Sequence, residues 1–276
     1  MDFFKMSGSG NDFILFDNRG GTLAAVKDMP AFVQAICRRK VSVGADGVIL
    51  VEPSERADFR WRFFNADGSE VEMCGNGGRC VARFAFLQGI AGERMSFETV
   101  AGIIDAEVRG DVVKLRLTEP SALEAGRIVP LQDERVTVDS INTGVPHVVA
   151  FVADLDHFDV FRYGRALRFS EAFAPAGTNA NFVTVTGPQS LSVRTYERGV
   201  EDETLACGTG SVASALAAAA RGEVTSPVEV TVRSGEVLKI HFEKNDGAFR
   251  NVYLEGRVRV VYEGQLWEEA WLGQGD

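Results

Sequence analysis

The chain has 276 residues, 45% apolar and 25% charged, a composition that excludes a disordered or fibrous protein and leaves room for one large domain or two ordinary ones. With 29 Lys and Arg against 39 Asp and Glu the formal charge is −10, so the average surface repels phosphate backbones and anionic lipid. Neither nucleic acid nor a membrane is an expected partner, and four cysteines are too few for a disulfide scaffold.

Residues 1–5 read as a strand, not as the start of a cleaved leader, and no apolar run approaches membrane-spanning length; a cytoplasmic protein is expected. A second strand over residues 13–16 ends in the turn Asp17-Asn18-Arg19-Gly20-Gly21. Pro30 opens a helix with Phe32, Val33, Ile36 and Cys37 on one face, ending near Gly44. Strands over 48–51 and 59–64 precede the turn Asn65-Ala66-Asp67-Gly68, and a helix follows Cys74, with Val81, Phe84 and Ala85 inward and a stop at Gly89. Strands return over residues 95–117. Pro120 and Gly126 break the pattern within 118–126, which marks a domain boundary. Further strands are read near 136–142, 148–152, 182–186 and 191–196, then a small-residue helix over 209–221 and strands through Val260. The terminal Trp267 and Trp271, with Leu272, are expected to anchor the end of the chain.

Each half thus runs strands, helix, strands, and one motif is repeated. Gly68-Ser69-Glu70-Val71-Glu72-Met73-Cys74-Gly75-Asn76-Gly77 is echoed by Glu201-Asp202-Glu203-Thr204-Leu205-Ala206-Cys207-Gly208-Thr209-Gly210. Glycines after a cysteine at a helix start let a ligand approach the backbone, and the first-turn N–H groups lack helical partners. Those donors and the helix dipole suit a carboxylate, and the same field favours a thiolate. Two such helices meeting at one small molecule would set a sulfur on each side of a carbon: one thiolate removes a proton while the other thiol supplies one, which inverts the centre. Zinc is poorly supported, because Cys74 and Cys207 lack a second ligand at metal spacing, and a phosphate loop lacks its Lys-Ser or Lys-Thr. Cys37 and Cys80 fall inside helices and are expected to be core thiols.

Six motifs carry a wider resemblance: Lys5-Met6-Ser7-Gly8-Ser9-Gly10-Asn11-Asp12-Phe13, Phe64-Asn65-Ala66-Asp67-Gly68-Ser69, Cys74-Gly75-Asn76-Gly77-Gly78-Arg79, Pro146-His147, Tyr196-Glu197-Arg198-Gly199 and Ala206-Cys207-Gly208-Thr209-Gly210. Together they resemble the diaminopimelate epimerase family of pyridoxal-independent amino-acid epimerases, over almost the whole chain. The resemblance implies an α+β fold of two pseudo-symmetric domains, each a curved, mainly antiparallel sheet around a central helix. One domain would span 1–118 with 263–276 returning to it, the other 119–262. It also implies the interconversion of LL- and meso-2,6-diaminopimelate, on the route to lysine and peptidoglycan precursors, with no cofactor and no metal. Cys74 and Cys207 would be the acid/base pair, and Gly75-Asn76 and Gly208-Thr209 would hold the reacting carboxylate. Asn65, Asn179 and Arg198 match substrate-binding positions, Arg198 being suited to a bidentate grip on the distal carboxylate. Asn11, His147 and Glu197 match residues around the reacting carbon and its ammonium.

Some family members carry glutamine where this chain has Gly47 and asparagine where it has Val145, and the loop containing Glu201-Asp202 is one residue longer than usual. Other groups or a water replace the lost contacts, or substrate preference has drifted. Two alternatives stay open on the residues: a racemase or epimerase of another amino acid such as proline or hydroxyproline, and a non-enzymatic carboxylate-binding, redox-sensing protein. A symmetric homodimer is the general expectation for a soluble enzyme.

Overall fold

The computed structural model describes residues 1–131 and 134–272, and contacts divide the chain into two units, Met1–Leu115 joined by the chain from Gly256 onward, and Arg116–Glu255. In the first unit β1 (Asp2–Gly8) and β2 (Asn11–Asp17) pair antiparallel across Ser9-Gly10. Both turn residues have positive φ, 57° and 85°, the geometry that matches the twist of a two-residue hairpin. Helix α1 (Met29–Cys37) is capped by the Asp28 carboxylate and crosses over to β3 (Gly47–Glu52), which lies parallel to β2. β4 (Phe59–Asn65) pairs antiparallel with β3, and the short β5 (Glu70–Val71) flanks it. Helix α2 (Gly75–Leu87) then leads to β6 (Arg94–Thr99), parallel to β4, and to the antiparallel pair β7 (Gly102–Arg109) and β8 (Val112–Arg116).

The second unit repeats this plan. β9 (Ser121–Leu131), β10 (Glu134–Asn142) and β11 (Pro146–Phe151) run antiparallel, and α3 (Val160–Arg168) crosses over to β12 (Asn179–Gly187), parallel to β11. β13 (Ser190–Glu197), β14 (Asp202–Thr204), α4 (Gly208–Ala220), β15 (Val228–Thr231), β16 (Val237–Asn245) and β17 (Ala248–Arg257) follow. β15 is again parallel to the strand two elements before the helix. β18 (Arg259–Gln265) returns to pair with β1, as β9 pairs with β10.

The strand registers make the correspondence residue by residue. Phe13 faces Gly47 as His147 faces Asn179, and Ile49 faces Phe63 as Asn181 faces Thr195. The expected α+β class, with mainly antiparallel strands and one central helix per unit, is what the chain forms. In the first unit β2 and β3 are buried on both faces, since α1 covers one side and α2 the other. That explains their unbroken apolar runs, which lack the alternation of a half-exposed strand.

The two central helices fill their space differently. α2 buries Cys80, Val81, Phe84 and Ala85, with Phe84 edge-on to Phe4 at 5.2 Å, and its first-turn Gly77 and Gly78 come close to the rings of Trp61 and Phe97. α4 is buried on nearly every face by small residues, and its buried Ser211 and Ser214 hydroxyls donate to the carbonyls of Cys207 and Gly210 at 2.9 and 2.7 Å. A seryl hydroxyl satisfied by its own helix can sit in a core without a further partner. The C-terminal end of α4 is tied down by Arg221, which donates to both oxygens of the buried Asp139 at 2.7 and 2.8 Å, while the Gly126 N–H donates to the same carboxylate at 2.8 Å.

Two readings of the sequence are corrected, and one helix goes unread in it. The strand pattern does not stop at Pro120 and Gly126, because Ser121–Leu131 is one strand that takes Ala122 and Gly126 at φ 53° and 72°, while the two units divide just before it, between Leu115 and Arg116. α3 carries too weak a signal to be read: its buried residues are only Val160, Gly164 and Leu167. The middle one is a glycine because a Cβ there would meet Tyr196 Cβ at 2.3 Å. At the C-terminus Trp271 packs edge-on against Phe32 at 5.3 Å, but Trp267 and Leu272 are exposed and Leu266 is the second anchor.

Candidate active site

Each repeated cysteine is the N-cap of its unit's central helix. Cys74 has extended backbone, φ −144° and ψ 118°, and its sulfur accepts from the Gly77 N–H at 3.5 Å. Cys207 has φ −116° and ψ 112°, and its sulfur lies 3.6 Å from the Thr209 hydroxyl. Both cysteines therefore stand at the positive end of a helix dipole, beside first-turn amides without helical partners, although only the Cys74 sulfur makes a capping hydrogen bond. The glycines are needed for closeness. A Cβ at Gly77 would meet Ile49 Cδ1 at 3.3 Å, and one at Gly210 would meet Asn181 Oδ1 at 2.3 Å.

In the first unit the sequence-predicted Asn11, Cys74, Gly75 and Asn76 come together. Asn76 donates to Asn11 Oδ1 at 3.5 Å, the Cys74 thiol points at the same oxygen at 3.8 Å, and Asn11 donates to Asp46 Oδ2 at 2.6 Å. Asp46 also accepts from the Asp12 N–H and from Arg39. Asp12 in turn takes Lys5 at 2.8 Å and Arg39 at 2.6 Å. Burial alone would raise the Asp12 pKa, but the hydrogen bonds from Arg39 and Lys5 outweigh it and hold the carboxyl below the usual range. The result is a carboxylate-anchored shelf for Asn11. From the other side, the fully buried Arg79 donates to Asn76 Oδ1 at 3.0 Å, Ser9 Oγ at 2.7 Å and Gly75 O at 3.4 Å, which fixes the first turn of α2. Asn65, at the exposed end of β4, donates to Ser69 Oγ at 3.4 Å.

In the second unit Asn179 and Arg198 are joined, since Asn179 Oδ1 accepts from the Arg198 N–H at 2.8 Å while its amide donates to Pro146 O at 3.0 Å. Arg198 Nη1 donates to Ala176 O at 3.1 Å. Glu197 accepts from Thr204 Oγ1 at 2.9 Å. The Thr209 carbonyl, one residue past Gly208 in the first turn of α4, accepts from Thr143 Oγ1 at 3.1 Å. His147 is buried, and its Nδ1 lies 3.2 Å from the Asn181 amide nitrogen. Burial first, and then the positive charge of Arg198, push its pKa down to about 3, so the ring is neutral at any ordinary pH. The longer loop is built around Glu201: its backbone is left-handed at φ 59°, and its carboxylate accepts from Arg168 at 3.0 Å and from the Gly199 N–H at 3.1 Å. The loop that carries Arg198 is thereby clamped to α3.

Sequence reasoning missed the supporting residues: Asp46, Arg39, Arg79, Asn181 and Arg168. Lys5, Asp12 and Arg79 lie within the quoted motifs, but their neighbours along the chain give no sign of the contacts they make. Gly47 is now explained. A Cβ there would meet Phe64 O at 2.5 Å and Phe63 Cε2 at 2.7 Å, so this backbone has no room for a side chain. Cys37 and Cys80 are core thiols; burial pushes Cys37 up to about 12.

The family model for diaminopimelate epimerase matches residues 3–122 and 140–261. Among similar proteins, a diaminopimelate epimerase of Aquifex aeolicus is 47% identical over 98% of this chain and 99% of its own. Those of Chlorobaculum tepidum and Archaeoglobus fulgidus are 46% and 44% identical, over 95% and 96% of this chain and 99% and 95% of theirs. Solved structures extend the likeness of fold. A phenazine biosynthesis protein of the PhzF family from Bacillus anthracis superposes with a TM-score of 0.73 at 16% identity, covering 97% of this chain and 99% of its own. A hydroxyproline epimerase from Agrobacterium vitis does so with 0.68 at 18%, covering 96% and 91%. With the duplicated frame, the paired N-cap cysteines and these matches in hand, the chain belongs to the diaminopimelate epimerase family and is an amino-acid epimerase.

Proposed function

We propose that the chain interconverts LL- and meso-2,6-diaminopimelate by two-base proton transfer, with Cys74 and Cys207 as the acid/base pair. The observation that carries this reading is the equivalence of the two cysteines: each is the N-cap residue of the buried central helix of its unit, next to its first-turn amides. The substrate α-carboxylate binds the N–H groups of Gly75-Asn76 and Gly208-Thr209. One cysteine, as thiolate, takes the α-proton. The electron pair left on carbon delocalises toward the carboxylate, where fixed amide donors stabilise it, and the other cysteine, as thiol, returns a proton to the opposite face. Proton count and charge balance over the turnover, with the two sulfurs exchanging states.

The remaining predicted residues take supporting parts. Arg198, whose Nη1 is held by Ala176 O, offers its other terminal nitrogen to the distal carboxylate, and Asn65 and Asn179 are further substrate-binding residues. Asn11, His147 and Glu197 surround the reacting carbon and its ammonium. The reaction needs no cofactor or metal and belongs in the cytoplasm, and a homodimer is the expected assembly. Among the described residues no helix is long and apolar enough to cross a membrane.

The test is incubation with LL-diaminopimelate in deuterated water under reducing conditions. The meso form should accumulate with deuterium at one α-carbon. Absence of isotope uptake from the parent protein, with uptake from proline or hydroxyproline, would reassign the substrate. Cys74→Ser and Cys207→Ser should each abolish exchange while ligand binding survives.

A further inference from the structure

Because the strand registers equate the two units, the layer beneath each central helix can be compared position by position. Under α2 it is Phe13, Ile49 and Phe63, all buried, with the two rings edge-on at 5.7 Å. Under α4 the same three positions hold His147, Asn181 and Thr195, exposed by 1%, 1% and 3%. The first unit shows that this backbone closes over apolar side chains, so packing does not demand the polar trio. Burying it costs desolvation that only complete hydrogen bonding offsets.

Nearly all of that bonding is present, and it leaves one group over. Thr195 Oγ1 donates to Asn181 Oδ1 at 2.9 Å. The Asn181 amide nitrogen donates to the Val148 carbonyl at 2.8 Å and faces His147 Nδ1 at 3.2 Å. The carbonyl can only accept, so the amide atom facing it is the NH2, which has no lone pair to offer Nδ1. Nδ1 must then be the acceptor, and the imidazole proton sits on Nε2. That Nε2 is buried with no partner among the described residues. A buried donor left unmade costs about 1–3 kcal/mol, which marks it as a group kept for a ligand. Asn181 also adjoins the first turn of α4: a Cβ at Gly210 would meet its Oδ1 at 2.3 Å and the Cys207 sulfur at 3.2 Å, so amide and thiol flank the same glycine.

We infer that Asn181 is a positioning residue that locks His147 in its Nε2–H tautomer, making the layer beneath α4 a hydrogen-bond donor where the matching layer beneath α2 is apolar. This rests on Cys207 acting in turnover, and it assigns a difference between two otherwise equivalent half-sites. The imidazole donates without carrying charge, which suits a group meant to steady an acceptor near the thiol and not to titrate with it.

The experiment is 15N NMR of the labelled protein. The chain has three histidines, so His157→Gln and His241→Gln assign the remaining signals to His147. The parent should show a pyrrole-like Nε2 and a pyridine-like Nδ1; a protonated Nδ1 overturns the inference without any variant being needed. Asn181→Asp replaces the donor with a carboxylate that accepts from Nδ1–H and should move the proton to Nδ1, lowering kcat for deuterium exchange about 100-fold with KM changed far less. A flipped tautomer with unchanged turnover refutes the positioning role. Should Asn181→Asp not fold, Thr195→Val releases Oδ1 and should give a tautomer mixture with reduced kcat; a parent-like spectrum and rate overturn the inference equally. A parent that does not exchange diaminopimelate refutes the substrate reading instead, and the parent spectrum still decides the tautomer.

Discussion

Burial of a neutral His147 makes stability depend on pH in a calculable way. In the unfolded chain the imidazole titrates near 6.5, whereas in the folded protein burial and Arg198 hold it at about 3. The folded pKa is depressed, so as pH falls below 6.5 the unfolded state binds a proton that the folded state does not, and stability is lost down to about pH 3. Above pH 6.5 neither state binds that proton, and the contribution is flat. At pH 5 the loss from this group alone is about 2 kcal/mol, since each pH unit of differential protonation is worth about 1.4 kcal/mol. The carboxylates Asp12 and Asp17, lowered by their partners, lose their contributions only below about pH 4 and do not add to the change at pH 5. His157 is raised by Asp154 and works in the opposite sense, but it is common to parent and variant and cancels. The assay is urea unfolding of the parent and His147→Asn, which keeps an acceptor for Asn181, at pH 8, 6.5 and 5. The gap between their stabilities should shrink by about 2 kcal/mol in favour of the variant from pH 8 to pH 5. Parallel curves would refute the claim that this histidine is held neutral by the fold.

Asp139→Asn leaves Arg221 at the C-terminal end of α4 without its carboxylate and should cost about 3 kcal/mol in chemical denaturation, toward the low end for a broken buried pair because Arg221 is partly exposed. Gly47→Ala drives a Cβ into Phe64 O and should cost about 1–3 kcal/mol, read as a lower urea midpoint with unchanged m; a neutral result would show that β3 and β4 can part there. Asp46→Ala removes the acceptor that holds Asn11 and should lower kcat for isotope exchange more than it alters the unfolding midpoint; equal losses in both would make Asp46 purely structural.

What the sequence makes legible follows the strength of the local signal. Strands such as β2 and β3 are unbroken apolar runs because helices cover both faces, and the Cys-Gly-x-Gly starts announce α2 and α4 through the chemistry of a helix N-terminus. α3 is silent because its contact residue is Gly164, which carries no hydrophobic mark, and β9 is hidden because nearly all its side chains are exposed. The same limit applies to the site. Cysteines and glycines at fixed spacing can be seen along the chain, whereas Asp46 reaches Asn11 and Asn181 reaches His147 only through strand pairing, across 35 and 34 residues.

The duplication gives the two departures from the family pattern, Gly47 and Val145, a common account. By strand register Gly47 is the counterpart of Asn179, and Asn11 is the counterpart of Val145. In each unit one of these two neighbouring positions is an asparagine and the other carries no polar side chain: Asn11 beside Gly47 in the first, Asn179 beside Val145 in the second. In the first unit the close contact of Gly47 with Phe64 O excludes a side chain from β3, and Asn11 comes from β2, anchored on Asp46. In the second Asn179 comes from β12 and binds the Arg198 N–H and Pro146 O, contacts made across its own strand neighbours. The lost side chains therefore do not leave either half without an amide. Each half retains one, delivered from opposite members of the same parallel strand pair, which separates the two half-sites chemically just as His147 and Phe13 do one layer below.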